Sequence, residues 1–80
     1  MPERVSGVRL YSTVGCHLCE RAQRIVLECL GQPAVEVDIA DDEALMARYA
    51  TRIPVLARLD TRAELAWPFG ADDLRAFLGA

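Results

Sequence analysis

Tyr11-Ser12-Thr13-Val14-Gly15-Cys16-His17-Leu18-Cys19 reads as a short β-strand that runs into a loop, and the loop delivers two cysteines to the start of a helix. Two cysteines separated by two residues suit either a redox pair or half of a metal site. The residues that follow favour the redox pair. Apolar side chains recur at Leu18, Ala22, Ile25, Val26, Cys29 and Leu30, a helical stripe that stops at Gly31 and Pro33. Cys16 then stands in the first turn of a helix running from about Cys16 to Leu30. Free backbone N–H groups and the positive end of the helix dipole stabilise a thiolate there. Cys19, three residues on, shares that side of the helix and reaches Cys16. The thiolate is the form that attacks disulfides, so this spacing supplies a nucleophile with a resolving thiol beside it.

Around this stretch the chain is short and ordinary in composition. Eighty residues make one domain, near the lower size at which a single core is stable unaided; residues 8–80 are expected to form it, with a short frayed segment at Met1–Gly7. A hydrophobic fraction of 52% and a charged fraction of 26% describe a globular chain and exclude a disordered one. Twelve acidic residues face nine arginines, for a net charge of −3, with no lysine and no basic cluster. Nucleic acid is therefore not expected as a partner. No apolar run is long enough to span a membrane, and no signal segment is recognised, so a cytoplasmic protein is expected. In a reducing compartment a close cysteine pair is catalytic or metal-binding more often than it is a structural staple.

Val8-Arg9-Leu10-Tyr11 is the first strand, and the cysteine helix follows, with Glu20–Arg24 and Arg24–Glu28 at the spacing of helical ion pairs. Val35-Glu36-Val37-Asp38-Ile39 alternates apolar and charged residues, the pattern of an edge strand with one wet face. Asp38 itself is expected to be solvated or to help start the next helix. Asp41 or Asp42 caps that helix, which runs to about Ala50 and buries Leu45, Met46 and Tyr49. Ile53-Pro54-Val55-Leu56-Ala57-Arg58-Leu59 opens a third strand, Asp60-Thr61-Arg62 turns, and Glu64-Leu65-Ala66-Trp67 returns as a fourth, forming a hairpin. Beyond Pro68, Phe69 and Gly70, Asp72 or Asp73 begins a last helix that buries Leu74, Phe77 and Leu78.

This βαβ–α–ββ–α order, with Cys-x-x-Cys at the first helix start and Ile-Pro opening the third strand, resembles the glutaredoxin branch of the thioredoxin fold. The match covers Val8 to Leu78. Cys16-His17-Leu18-Cys19, Arg52-Ile53-Pro54-Val55-Leu56 and Glu64-Leu65-Ala66-Trp67-Pro68-Phe69 are similar to small bacterial glutaredoxin-like proteins. The resemblance implies an α/β fold with a four-stranded mixed sheet and helices on both faces. It implies that Cys16 attacks, that Cys19 resolves, and that the two form a redox-active disulfide. Pro54 matches a cis-proline facing the pair, and Ile53 matches the residue whose backbone pairs with a peptide-like substrate. The implied partners are a disulfide-containing protein or a glutathione mixed disulfide, with glutathione or a flavoprotein reductase as electron donor. No bound cofactor or metal is implied, and a monomer is expected.

Three positions depart from the glutaredoxin pattern. Thr13 stands where a lysine is usual, His17 replaces a proline, and Phe69-Gly70 replaces a pair of glycines. Glutathione recognition leans on that cation and on close backbone approach, so weak glutathione binding is expected. Arg52 is the candidate replacement cation, and Gly70 and Asp72 are candidate substrate contacts. His17 is read as tuning the Cys16 thiolate, against the plainer reading of an exposed polar residue at a helix start. Cys29 falls on the apolar stripe and reads as a small buried residue; Trp67 and Phe69 read as packing. Tyr11 ends the first strand, where packing and substrate contact are equally open. Two other functions remain open at this level: an iron–sulfur or metal carrier bridging through the cysteines, and a thioredoxin-fold interaction module without turnover.

Overall fold

Residues 7–79, which the computed structural model describes, run in the order expected from the sequence. The elements are β1 (Val8–Ser12), α1 (His17–Leu30), β2 (Val35–Asp38), a 3-10 turn (Ile39–Asp41), α2 (Glu43–Tyr49), β3 (Val55–Arg58), β4 (Glu64–Ala66) and α3 (Ala71–Leu78). The strands form one mixed sheet in the order β2-β1-β3-β4. β1 pairs parallel with β2 and antiparallel with β3, and β3 pairs antiparallel with β4. This is a thioredoxin-like α/β fold. The expected frayed segment lies outside the described residues except for Gly7, whose carbonyl accepts the Leu59 N–H at 2.8 Å.

Alternation along the strands divides the sheet into two faces. Val8 and Leu10 of β1 and Leu56 of β3 pack with Ala22 and Val26 of α1 and Leu74 of α3, so these two helices share one face. Leu10, Leu56 and Leu74 are fully buried there, each contributing about 1.5–3 kcal/mol by leaving water. Phe69 is buried beside them and meets Trp67 edge-to-face at 5.1 Å, so both aromatics pack as expected. Cys29 is half-buried against the same cluster. The opposite face carries Tyr11, Val55 and Ile39, covered by Tyr49 and Leu45 of α2.

Several local details differ from the sequence reading. Leu18 is 41% exposed, and the buried stripe of α1 starts at Cys19 instead. The inward face of the helix runs through Cys19, Ala22 and Val26, at i, i+3 and i+7, which leaves Leu18 to one side of it. Glu20 forms no pair with Arg24; among the described residues it lies 3.9 Å from the His17 ring nitrogen. β2 is an edge strand as expected, but Val35 is 50% exposed, because the short α2 does not extend over it. Met46 is also exposed, leaving Tyr49 as the one fully buried residue of α2. Asp42 is the cap of α2, accepting from the N–H groups of Ala44 and Leu45 at 2.8 and 3.1 Å. Asp38 starts the 3-10 turn by accepting the Ala40 N–H at 2.9 Å.

Candidate functional site

The loop between β1 and α1 is set by a tight turn. Cys16 N–H donates to the Thr13 carbonyl at 3.3 Å, and Gly15 takes a φ of 83°, the left-handed value that a type II turn needs at its third residue. This turn places Cys16 at the N-cap of α1, not in its first turn, with extended backbone (φ −85°, ψ 102°). The displacement by one residue strengthens the chemical argument. An N-cap side chain accepts from N–H groups of the first turn, and here Cys16 Sγ accepts the Cys19 N–H at 3.1 Å. The sulfur therefore occupies the position where the helix terminus favours negative charge.

Cys16 and Cys19 are joined as a disulfide, with their Cα atoms 5.2 Å apart. Their environments differ. Cys16 is half-buried and borders Val14 and Gly15, which are exposed, whereas Cys19 is only 4% exposed and faces the core. Cys16 is therefore the more accessible of the two. Val14, 89% exposed, is the nearest large apolar side chain in the sequence before it.

The structure places the other expected site residues unevenly. The Ile53–Pro54 bond is cis, and Pro54 is fully buried. Tyr11 is register partner of Val55, so continuing the antiparallel ladder sets Pro54 across from Ser12, at the end of the sheet where the cysteine loop leaves. The Pro54 carbonyl accepts the Trp67 N–H at 3.1 Å, and Ile53 N–H donates to the Tyr49 carbonyl at 3.1 Å. A second cis bond, Trp67–Pro68, was not anticipated. The His17 ring is 91% exposed and sits 3.9 Å from Glu20.

Arg52 is engaged, not free: its guanidinium donates to Glu64 at 3.2 Å, with Arg48 3.5 Å from the same carboxylate. Gly70 is the N-cap of α3, and its N–H already donates to Asp73 Oδ2 at 2.9 Å, so that donor is not turned toward a ligand. Asp72 is fully exposed and pairs with Arg75 at 3.0 Å. It does not cap α3. Its neighbour Asp73 does the capping, because the third residue of a helix is the one that reaches back to the N-cap N–H.

Two networks were not foreseen. Gln23 fastens α1 to the segment before β2: its amide accepts the Ala34 N–H and donates to the Ala34 carbonyl, both at 2.9 Å, and also donates to Glu36 at 2.9 Å. Buried Ser12 donates to the same Glu36 at 3.4 Å. On the other face, Tyr11 and Tyr49 stack with centroids 4.4 Å apart, and the Tyr49 phenol donates to Glu64. Burial first, then the hydrogen bond and charge of Glu64, push the Tyr49 phenol up to about 12. Glu64 is held below the usual carboxylate range, chiefly by that phenol and then by Arg52 and Arg48. Alternation marks Glu64 as one strand residue among others, and only the packed fold shows what it joins.

Comparison with known proteins agrees with the architecture. The model of the glutaredoxin-like domain (DUF836) matches residues 7–79. The X-ray structure of the X. campestris protein XcR50 is similar, with a TM-score of 0.82 and 39% identity over 90% of this chain and 95% of that one. Its solution structure gives 0.80 and 38%, covering 91% and 92%. The solution structure of Ne2328 from Nitrosomonas europaea gives 0.69 and 26%, covering 96% of this chain and 98% of that one. No curated protein matches the chain. No helix among the described residues is long and apolar enough to cross a membrane.

Proposed function

The chain belongs to the glutaredoxin-like domain family (DUF836), and from that premise we propose that it is a thiol–disulfide oxidoreductase working through Cys16 and Cys19. The observation that carries this reading is the asymmetry of the pair. Cys16 is the more accessible sulfur, caps α1 and accepts the Cys19 N–H, while Cys19 is buried within bonding reach. The first sulfur has what a nucleophile needs, and the second has what a resolving thiol needs.

The cycle starts from the dithiol. The Cys16 thiolate attacks one sulfur of a substrate disulfide; a Cys16–substrate bond forms, the substrate S–S bond breaks, and the departing thiolate takes a proton. Cys19 loses its proton and attacks the Cys16 sulfur, closing the internal disulfide and releasing the second substrate thiol. Two electrons pass to the substrate, and the protein is left oxidised. Glutathione or a flavoprotein reductase returns those electrons. The substrate is a protein disulfide or a glutathione mixed disulfide, met by a cytoplasmic monomer. In this reading an extended substrate segment runs alongside cis-Pro54, which continues the ladder across from Ser12, while the Ile53 N–H, already donated to the Tyr49 carbonyl, takes no part in holding it.

The test is disulfide reduction measured side by side with glutathione plus its reductase and with a thioredoxin-reductase system. Cys16→Ser loses all turnover, and Cys19→Ser accumulates a stable mixed disulfide on Cys16. A reduced parent protein with both thiols titratable that reduces neither small nor protein disulfides would overturn the reading in favour of an interaction module. Iron and visible colour in the purified protein, lost with Cys16→Ser, would overturn it in favour of a cluster carrier.

A further inference from the structure

The cysteine pair uses one end of the sheet and leaves a separate cavity of about 300 Å³ on the face that α2 covers only in part. It opens between α2 and the β3–β4 hairpin, and neither cysteine, nor Ile53, nor Pro54 lines it. We infer that this cavity is a second binding site, for a small organic carboxylate with a compact apolar body.

The charge ledger of the walls carries the inference. Three arginines line the cavity, in a chain whose net charge is −3. Arg58 is committed elsewhere: its guanidinium donates to Asp60 at 3.0 and 2.7 Å and to the Phe77 carbonyl at 2.9 Å, so only its stem serves the wall. Glu64 is also committed, through the Tyr49 phenol and Arg52. Arg48 is left with the looser contact to Glu64 at 3.5 Å, and its side chain is 66% exposed. Arg62 is held at the hairpin by its N–H to the Arg58 carbonyl at 2.8 Å. Among the described residues no carboxylate lies within ion-pair distance of its guanidinium. Two guanidiniums thus border one cavity with little to satisfy them.

The remaining lining defines the rest of the ligand. Ala57 is 7% exposed and forms apolar floor, Leu59 is a 45% exposed apolar wall, and the tyrosine pair presents ring edges. The Tyr49 ring is occupied, because Tyr11 stacks on it and Arg48 and Arg52 lie over it at 5.3 and 5.6 Å, and Tyr11 gives one of its faces to that stack. A compact apolar body against the floor fits better than a large base needing a stacking platform. The planar fork of a guanidinium matches a carboxylate. A doubly charged phosphate head would also have to face Glu64, which lines the same cavity. A volume of about 300 Å³ is at the small end for ligand sites, which again selects a small molecule.

The experiment titrates the oxidised protein with benzoate at neutral pH and low salt, following backbone amide shifts by NMR, with acetate and inorganic phosphate in parallel. Benzoate is expected to give saturable shifts at Tyr49, Ala57, Leu59 and Arg62, with acetate binding at least tenfold more weakly for lack of an apolar body. Arg48→Ala and Arg62→Gln each weaken benzoate about tenfold, the loss of one charge-assisted contact, and Leu59→Asp abolishes binding with the arginines intact. These side chains are exposed, and each variant's amide spectrum reports whether it is folded. Shifts that do not saturate, that persist unchanged in the arginine variants, or that fall only on the Cys16–Cys19 loop would overturn the inference. Phosphate binding as tightly as benzoate would do the same, since the cavity would then read charge alone. Disulfide turnover uses a different site, so failure of either proposal leaves the other standing.

Discussion

Glu64→Gln is the substitution that most directly tests how the α2 face is held. Glu64 is 20% exposed, accepts the Tyr49 phenol, and draws Arg52 and Arg48 to the same carboxylate at 3.2 and 3.5 Å. Gln keeps the size and an acceptor oxygen for the phenol but removes the charge. The phenol bond then falls from the charge-assisted range, about 1.5–3 kcal/mol, to the neutral range, about 0.5–1.5 kcal/mol. The two arginine side chains are 66% and 44% exposed, so solvent screening leaves their pairs worth only about 0–1 kcal/mol. The expected loss is about 1–2 kcal/mol, or roughly 5–15 °C in Tm for a domain of this size.

The pH dependence gives the sign. Glu64 is held below the usual carboxylate range in the folded protein, so its contribution is complete above about pH 5 and is lost as pH falls through the depressed folded value. The gap between parent and variant in thermal unfolding, followed by circular dichroism, is therefore full at pH 7 and closes as pH falls below the ordinary carboxylate range. At the alkaline end the phenol is pushed up to about 12, so its contribution is present below its ordinary value and is lost as pH rises through about 12. Without the carboxylate, Tyr49 ionises earlier in an ultraviolet titration, though burial still holds it above a free tyrosine. A Tm within about 2 °C of the parent at pH 7, or a gap unchanged in acid, would refute the argument.

Cys16→Ser abolishes turnover, whereas Cys19→Ser retains a Cys16 that is alkylated faster at pH 7 than the Cys19 of Cys16→Ser; the reverse order of rates would exchange their roles. Thr13→Lys tightens glutathione binding to the Cys19→Ser protein about tenfold or more by restoring one charge-assisted contact, measured by calorimetric titration. Asp73→Ala removes the acceptor of the Gly70 N–H and costs about 1 kcal/mol, read as a lower denaturant midpoint with no change in disulfide turnover. Gly31→Ala costs about 1 kcal/mol or more, because the C-cap of α1 sits at φ 76° where a Cβ is strained, and chemical denaturation measures it.

Much of the architecture was legible because it rests on one-dimensional signals. The period of the apolar residues in α1, the alternation in β1 and β3, and the breaks at Gly31, Pro33 and Pro68 each mark an element by local rules. The cysteine spacing was legible for the same reason. What escaped were properties of three-dimensional cover. Val35 and Met46 have the right period for burial, yet they remain exposed because α2 is only seven residues long and shields Tyr11 and Val55 first. Leu18 and Cys19 are adjacent and both apolar, so the period admits either, and the face of α1 that packs on the sheet decides which is inside. Arg52 and Gly70 carry plausible donors by type, but Glu64 and Asp73 had already taken them; the Asp73 contact follows from capping-box spacing, whereas no spacing rule connects Arg52 with Glu64, twelve residues on.

The two faces of the sheet serve different ends because different lengths of helix cover them. On the first face, Ala22 and Val26 are completely buried, and the Gln23 amide ties the second turn of α1 to both backbone groups of Ala34 and to Glu36. Glu36 in turn accepts Ser12, the last residue before the cysteine loop, so helix and strand are joined just below the disulfide. Cys19 is buried against this base, whereas Cys16 follows a turn whose third residue is Gly15, at φ 83°. In the proposed cycle that asymmetry fits the two roles, an accessible cysteine for attack and a buried one for resolution. On the second face, seven residues of α2 cannot close the sheet, and the uncovered part is bordered by arginines in a chain that is otherwise acidic. On the two proposals made above, the closed face carries the thiols and the open face binds.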